Sequence, residues 1–403
     1  VKLSKRVQSL QPSATLAIAA KAKQLKAEGI DVIDFGVGEP DFATPANIVK
    51  AAIKALEGGD THYTPVGGSP ALKKAIIAYM KREYGLDYSP AEVFASCGAK
   101  HTLYNIFMSI IDPGDEVIIP SPFWVSYPEQ VSLAEGTPVI VTASAKEGFL
   151  LTPDQLEKAI TKKTKALILN SPSNPSGTMY TPEKLAGLAA VLKNKDVIIV
   201  SDDIYHRLVY DGARFASILE VEPSLRDRTV IVNGVSKSYA MTGWRIGFAA
   251  GPAQLMGALD KIQGQATSNP TSFAQAGAIE ALAGDQSCVE EMRKVFDKRR
   301  RIVVEKLNAI PGVTCASPAG AFYAFPFVSS YYGYLNKGTV LKDSMDVASY
   351  LLEEARIAVV PGEPFGAPEN IRLSYATSED SIVEGIKRMG EALSKLQKPA
   401  GRI

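Results

Sequence analysis

The chain is expected to be an α/β protein with a large domain, a mostly parallel sheet covered by helices on both faces, and a smaller α+β domain. Three observations lead there. Short apolar segments at 93–96, 116–120, 165–170, 197–201, 229–233 and 246–250 are mostly separated by helical periods, the pattern of parallel strands joined by crossover helices. Val289, Met292, Val295, Phe296, Ile302 and Val303 then recur at helical spacing, predicting one long helix over about 285–309. After Pro311-Gly312 the pattern changes to shorter elements, among them Val359-Val360-Pro361-Gly362 and Ile371-Arg372-Leu373-Ser374-Tyr375. The expected division is therefore a large domain at 46–284 and a small one at 1–45 and 310–403, joined through that helix.

The segment 93–96 runs into Cys97-Gly98-Ala99-Lys100 and then a helix with Leu103, Ile106, Phe107, Ile110 and Ile111 on one face. Small residues at a helix start let free N–H groups approach an anion, so the Gly98-Ala99 turn is a candidate phosphate cradle. Ala166-Leu167-Ile168-Leu169 ends in Asn170-Ser171-Pro172-Ser173-Asn174-Pro175, a polar turn. Val197-Ile198-Ile199-Val200-Ser201 ends in Asp202, Asp203 and Tyr205, where Asp202 could also serve only as a helix cap. Thr229-Val230-Ile231-Val232-Asn233 is β-branched, is bounded by Gly234, and opens onto Lys237, with Arg245 eight residues on. In an open α/β sheet the carboxyl ends of strands are where ligands bind. An asparagine, an aspartate, a tyrosine and a lysine at three such ends form a convergent polar site. Arg299-Arg300-Arg301 within the long helix is read as its solvated face rather than a nucleic-acid patch.

Composition excludes several classes. With 403 residues and a net charge of +1 there is no reason to expect a nucleic-acid or membrane partner. No run approaches the ~18 apolar residues of a membrane span, and the amino end lacks a signal-like apolar stretch, so a cytoplasmic protein is expected. Three cysteines without a short-spaced pair and three histidines argue against disulfides and metal sites. No Walker loop is present, and Gly36-Val37-Gly38 has Asp41 where a dinucleotide fingerprint needs its third glycine. Cys97 with His101 four residues on raises a cysteine hydrolase only weakly, since a small residue packed at that turn explains it as well.

These residues resemble the fold-type I pyridoxal-phosphate enzymes, and within them the prokaryotic-type class I aspartate aminotransferases. The similarity runs from Pro12-Ser13-Ala14-Thr15 through Gly38-Glu39-Pro40-Asp41, Tyr63-Thr64-Pro65, Pro122-Phe123-Trp124-Val125-Ser126-Tyr127-Pro128, Asn174-Pro175-Ser176-Gly177 and Asp202-Asp203-Ile204-Tyr205 to Ser236-Lys237, Gly243-Trp244-Arg245 and Arg372-Leu373-Ser374-Tyr375. The order and spacing of these motifs are more specific than any one of them.

The resemblance implies a role for each. Lys237 would hold pyridoxal 5'-phosphate covalently and carry the proton in transamination. Asp202 would pair with the pyridine nitrogen, Tyr205 and Asn174 with the ring oxygen, and Trp124 would stack on the ring. Arg245, the Gly98-Ala99 turn and Lys100 or Ser236 would lie about the phosphate, with Tyr63 arriving from the other subunit of a homodimer. Arg372 would clamp the substrate α-carboxylate, assisted by the N–H of Gly38.

Two departures stand out. Gly234 occupies the place of a phosphate-binding serine, and Asp203 that of a common glutamate. The stretch 265–270 has no arginine for a distal carboxylate, a task the resemblance gives to Lys100 with Ser13 and Thr15. Aspartate with 2-oxoglutarate is the expected pair, turned over by a ping-pong mechanism. The alternatives are an aspartate/prephenate enzyme, a broader aromatic, kynurenine or alanine aminotransferase, and, remotely, a non-catalytic binding protein on the same fold.

Overall fold

Alternating side chains along each central strand are apolar on both sides, so the sheet is driven to bury both faces. The computed structural model describes residues 1–8, 10 and 14–398, with the side chains of 14–19 outside that description. Its main sheet is formed by β1 (Val93–Ser96), β2 (Glu116–Ser121), β3 (Thr137–Thr142), β4 (Thr164–Asn170), β5 (Ile198–Asp202), β6 (Thr229–Gly234) and β7 (Gly247–Ala250), in the order β1-β7-β6-β5-β4-β2-β3. All neighbouring pairs from β6 to β3 are parallel, and only β7 runs against its neighbours. One face sends Ile118, Leu167, Leu169, Ile199 and Ile231 against Leu72, Ile76, Leu185 and Leu188. The other sends Val117, Ile119, Ile168, Val200 and Val232 against Leu103, Ile106 and Phe107 of the helix Ala99–Ile110.

A separate core gathers Phe322, Tyr323, Val347, Leu351, Ile357, Leu373 and Ile386, and it takes in Ile204, Tyr205 and Leu208 from the chain just past β5. The long helix is Ser287–Asn308, and it touches both regions: Val289 packs with the sheet, while Met292, Phe296, Val303 and Leu307 pack in the second core. Within that core, Ile371–Ser374 lies between Val360–Pro361 and Tyr323–Ala324 in a three-stranded antiparallel sheet.

Two findings differ from the expectations. β3 was not foreseen, because it is an edge strand with alternating exposed and half-buried residues and a proline, Pro138, near its start. The arginine run is not a solvated face. Arg299 and Arg300 are 7% and 3% exposed, and only Arg301 faces solvent. Arg299 makes a fork to both carboxylate oxygens of Asp41 at 2.7 and 2.9 Å, and Arg300 binds Asp297, Asp211 and Ser317. Aspartates on the helix and beyond it pair with the planar guanidinium groups, leaving Arg299 Nε without a partner, and that pairing is what lets two of them be buried.

That difference is measurable. Arg300→Met, which removes the hydrogen bonds to Asp297, Asp211 and Ser317 and leaves the half-buried Asp297 with Arg301 alone, should lower unfolding stability by about 1.5 to 3 kcal/mol. Arg301→Met should change it by no more than about 0.5 kcal/mol. Equal denaturant midpoints for the two variants would contradict the assignment.

Candidate active site

In-register pairing sets Asn170 beside Asp202 and Asp202 beside Val232, so the chain leaves β4, β5 and β6 at one level. The polar residues that follow these ends, with Gly38 and Arg372 from the second core, line a cleft of about 630 Å³. Lys237 is at its centre. Its Nζ donates to the carbonyl of Gly38 at 2.6 Å. Burial lowers its pKa to about 8, against the pull of Glu39 in the opposite direction.

Asp202 is buried at the end of β5. Tyr127 Oη donates to its Oδ2 at 2.7 Å, and the Ile204 N–H reaches Oδ1 at 3.3 Å. Burial raises this carboxyl to about 6, while those two hydrogen bonds restrain the rise. Its neighbour Asp203, held by Ser201 Oγ at 2.7 Å, is raised to about 7 by burial, with the charge of Asp202 adding to the effect. Tyr205 meets Tyr323 hydroxyl to hydroxyl at 2.8 Å.

Arg372 is 3% exposed. It donates to Asn174 Oδ1 at 3.0 Å and to the Gly36 carbonyl at 2.8 Å, and its guanidinium lies 4.6 Å from the ring centre of Tyr323. Its Nε is buried without a partner. At the other end of the cleft Arg245 adopts a left-handed backbone, φ 56°, and packs so closely on Gly98 that a Cβ there would stand 2.4 Å from Nη2. The helix Ala99–Ile110 begins at this point, directing free N–H groups at the same place as the guanidinium. Lys100 also lines the cleft, with Nζ 4.9 Å from the ring centre of Trp124. Burial lowers its pKa, and the nearby Arg245 lowers it further.

Of the expected residues, Gly38, Ala99, Lys100, Trp124, Asn174, Asp202, Tyr205, Ser236, Lys237, Arg245 and Arg372 line this one cleft, and Gly98 supports it from beneath Arg245. Tyr63 does not line it and is 91% exposed. Ser13 and the side chain of Thr15 lie outside the described residues. Gly234 has a steric reason for lacking a side chain: a Cβ would stand 3.0 Å from the Ile246 carbonyl across the β6–β7 pair. Cys97 faces Thr267 at 3.8 Å and His101 stacks on Tyr104, so the hydrolase pairing has no geometry behind it.

The sequence reading assigned no role to Tyr127, Tyr323, Glu39 or Thr242. Tyr127 lies three residues after Trp124 in a motif already noted, and its position on the first turn of Ser126–Leu133 aims it at Asp202. Thr242 Oγ1 donates to Glu39 Oε2 at 2.6 Å, tying the segment that carries Gly38 to the turn that carries Arg245. Nothing local in the sequence signals that contact, which spans some two hundred residues.

The chain matches the model of the family described as aminotransferase class I and II over residues 30–389. It belongs to the class I and II aminotransferases. Aspartate aminotransferase of Geobacillus stearothermophilus is 54% identical over 389 residues, covering 96% of this chain and 98% of that protein. Aspartate/prephenate aminotransferase of Nitrosomonas europaea is 50% identical, covering 98% of this chain and all of the relative. Among solved structures, the aspartate aminotransferase of Rhizobium meliloti superposes with a TM-score of 0.96 at 45% identity, covering 98% of this chain and 100% of that one. That of Thermus thermophilus with maleate gives 0.91 at 41% identity, covering 97% and 100%. This aminotransferase is accordingly a pyridoxal-phosphate-dependent transaminase on the fold-type I architecture. No helix among the described residues is long and apolar enough to cross a membrane.

The donor set fits that cofactor. A buried carboxylate, a half-buried lysine, an indole face, and an arginine seated on a glycine at a helix start match a ring nitrogen, an aldehyde, a ring face and a phosphate in turn. Without the cofactor, the two carboxyl groups impose a pH dependence. Both are raised from an ordinary 3.8, to about 6 and about 7, so the folded protein retains protons that the unfolded chain has released. Stability that is full below pH ~4 is therefore lost as pH rises through these two values. Burial lowers His206 to about 3, which acts in the opposite sense below pH ~6.5, so the Asp203 contribution is read as a difference: relative to cofactor-free Asp203→Asn, cofactor-free wild type should lose stability as pH rises from 5 to 8. Parallel slopes for the two proteins would rule Asp203 out as a source.

Proposed function

We propose that this aminotransferase transfers the amino group of aspartate to 2-oxoglutarate, giving oxaloacetate and glutamate in a ping-pong cycle. The observation that carries this reading is a cation left over in the cleft once Lys237 and Arg245 are given to the cofactor and Arg372 to the α-carboxylate. Besides Arg372, Lys100 lies within it on the face of Trp124, so a substrate with two carboxylates has a partner for each. The names of the relatives support the same substrate, as does a Thermus thermophilus neighbour solved with the dicarboxylate maleate. Lysine is a flexible point charge rather than a fork, so the distal site tolerates more than one dicarboxylate. The Nitrosomonas europaea relative is named for prephenate as well as aspartate, which makes prephenate the second acceptor to test.

Pyridoxal phosphate, when bound, supplies an electron sink for the charge left on the substrate carbon. The protein's own groups do the rest. Asp202, anchored by Tyr127, holds a proton on the ring nitrogen. Arg245 and the N–H groups after Gly98 fix the phosphate. Arg372 orients the α-carboxylate, with the Gly38 N–H assisting, and Asn174 and Tyr205 hold the ring oxygen. Lys237 Nζ would take the proton from the substrate α-carbon and deliver it to the cofactor's aldehyde carbon rather than back to the substrate, the task for which a pKa near 8 is suited. The exposed Tyr63 supports a homodimer in which this residue completes the neighbouring subunit's phosphate site. Ser236, buried next to Lys237, is the candidate replacement for the serine missing at Gly234.

Substrate choice tests the reading. Charge-assisted bonds contribute ~1.5 to 3 kcal/mol, so Lys100→Ser should lower kcat/KM for aspartate about ten- to a hundredfold and leave alanine nearly unchanged. Steady-state rates with aspartate, prephenate, tyrosine, alanine and kynurenine as partners provide the comparison. A uniform fall across all of them, together with weaker cofactor binding, would assign Lys100 to the phosphate and withdraw its part in aspartate recognition.

A further inference from the structure

Tyr323 has no part in the roles above, yet its hydroxyl is 2.8 Å from that of Tyr205 and both side chains are buried. It belongs to the short strand Tyr323–Ala324, which pairs with Ile371–Ser374, the strand that carries Arg372. Its ring lies under the Arg372 guanidinium, with 4.6 Å from the guanidinium carbon to the ring centre. On another side its hydroxyl approaches Gly38, where a Cβ would come within 3.1 Å of it. The hydroxyl is thus confined between Tyr205 and the backbone at Gly38.

A phenol has one hydrogen to give. If Tyr205 donates to the cofactor's ring oxygen, it has none left for Tyr323 and must accept from it. We propose that Tyr323 is a positioning residue whose hydroxyl donates to Tyr205 and so directs the Tyr205 hydrogen into the cleft, toward the ring oxygen of bound pyridoxal phosphate. The inference rests on the cofactor reading above.

The charged groups about the pair are Arg372 from the adjacent strand, Asp202 from the end of β5 and Lys237 across the cleft. Burial raises the pKa of both phenols, with Arg372 opposing that rise and Asp202 adding to it at Tyr205. A hydrogen bond received from Tyr323 polarises the Tyr205 hydroxyl and makes it a stronger donor. A stronger donor stabilises the negative charge on the ring oxygen, so the lysine-bound cofactor releases its proton at lower pH.

The test is a pH titration of visible absorbance on cofactor-loaded wild type, Tyr323→Phe, Tyr205→Phe and the double variant. Tyr323→Phe should raise the midpoint by about 0.5 unit or more while cofactor content stays at the wild-type level. The double variant should match Tyr205→Phe to within about 0.2 unit, because a residue acting through another has nothing to act on once that residue is gone. An unchanged midpoint in Tyr323→Phe, or shifts that add in the double variant, would overturn the inference. A wild type that shows no visible absorbance after cofactor loading would defeat the cofactor reading itself, and this inference with it.

Discussion

Desolvation of unlike charges in one cleft shapes the rest of this site. Asp202 and Arg372 are buried and Lys237 is half-buried in the same cleft, and none of them has a side-chain ion pair among the described residues. Burying an uncompensated charge costs several kcal/mol. Here the compensation is partial: a tyrosine hydroxyl and one N–H for Asp202, a single carbonyl for Lys237, and an asparagine and a carbonyl for Arg372. The Nε left over on Arg372 shows how incomplete it is. In the proposed function, the cofactor's ring nitrogen would give Asp202 a further partner and the substrate α-carboxylate would give one to Arg372. The same deficit explains why an aspartate is raised to about 6 and a lysine lowered to about 8 within one cleft.

The architecture brings these charges together by two routes. The parallel strands β4, β5 and β6 end at one level and deliver Asn174, Asp202 and Lys237 without any long-range adjustment. Arg372 and Gly38 arrive from elsewhere and need fixing. Phe35 donates to the Ala358 carbonyl and accepts from the Ser374 N–H, which locks the segment before Gly36 against the strand of Arg372. Asp41, just beyond Gly38, is held by the buried fork of Arg299 on the long helix. Arg299 of that helix therefore acts in the interior, supporting a wall of the cleft.

What was legible in the sequence follows from range. Apolar β-branched strands and the glycine-bounded turns after them are local signals, and they located the sheet and its polar ends. The edge strand β3 was invisible for the opposite reason, since half of its residues face water and it reads as a loop. The arginine run misled because composition cannot distinguish a solvated guanidinium from one seated on Asp41 or Asp297. Tyr127 sat inside a noted motif, but its target, Asp202, is far along the chain. Tyr323 and the Glu39–Thr242 contact depend wholly on tertiary placement. Family resemblance assigned roles to the cleft residues, and the geometry adds why Gly98 and Gly234 carry no side chain: Gly98 has a left-handed φ of 94° with Arg245 packed on it, and the β6–β7 backbone fills the space at Gly234.

The central claim is that Lys237, desolvated at the end of β6, is the group that holds the cofactor. Borohydride reduction of the pyridoxal-phosphate-loaded protein, followed by peptide mapping, tests it most directly. The account predicts a pyridoxyl group on the peptide containing Lys237 and none on that residue's neighbours in the cleft. Recovery of the adduct on Lys100, or on any other lysine, with Lys237 unmodified would contradict it.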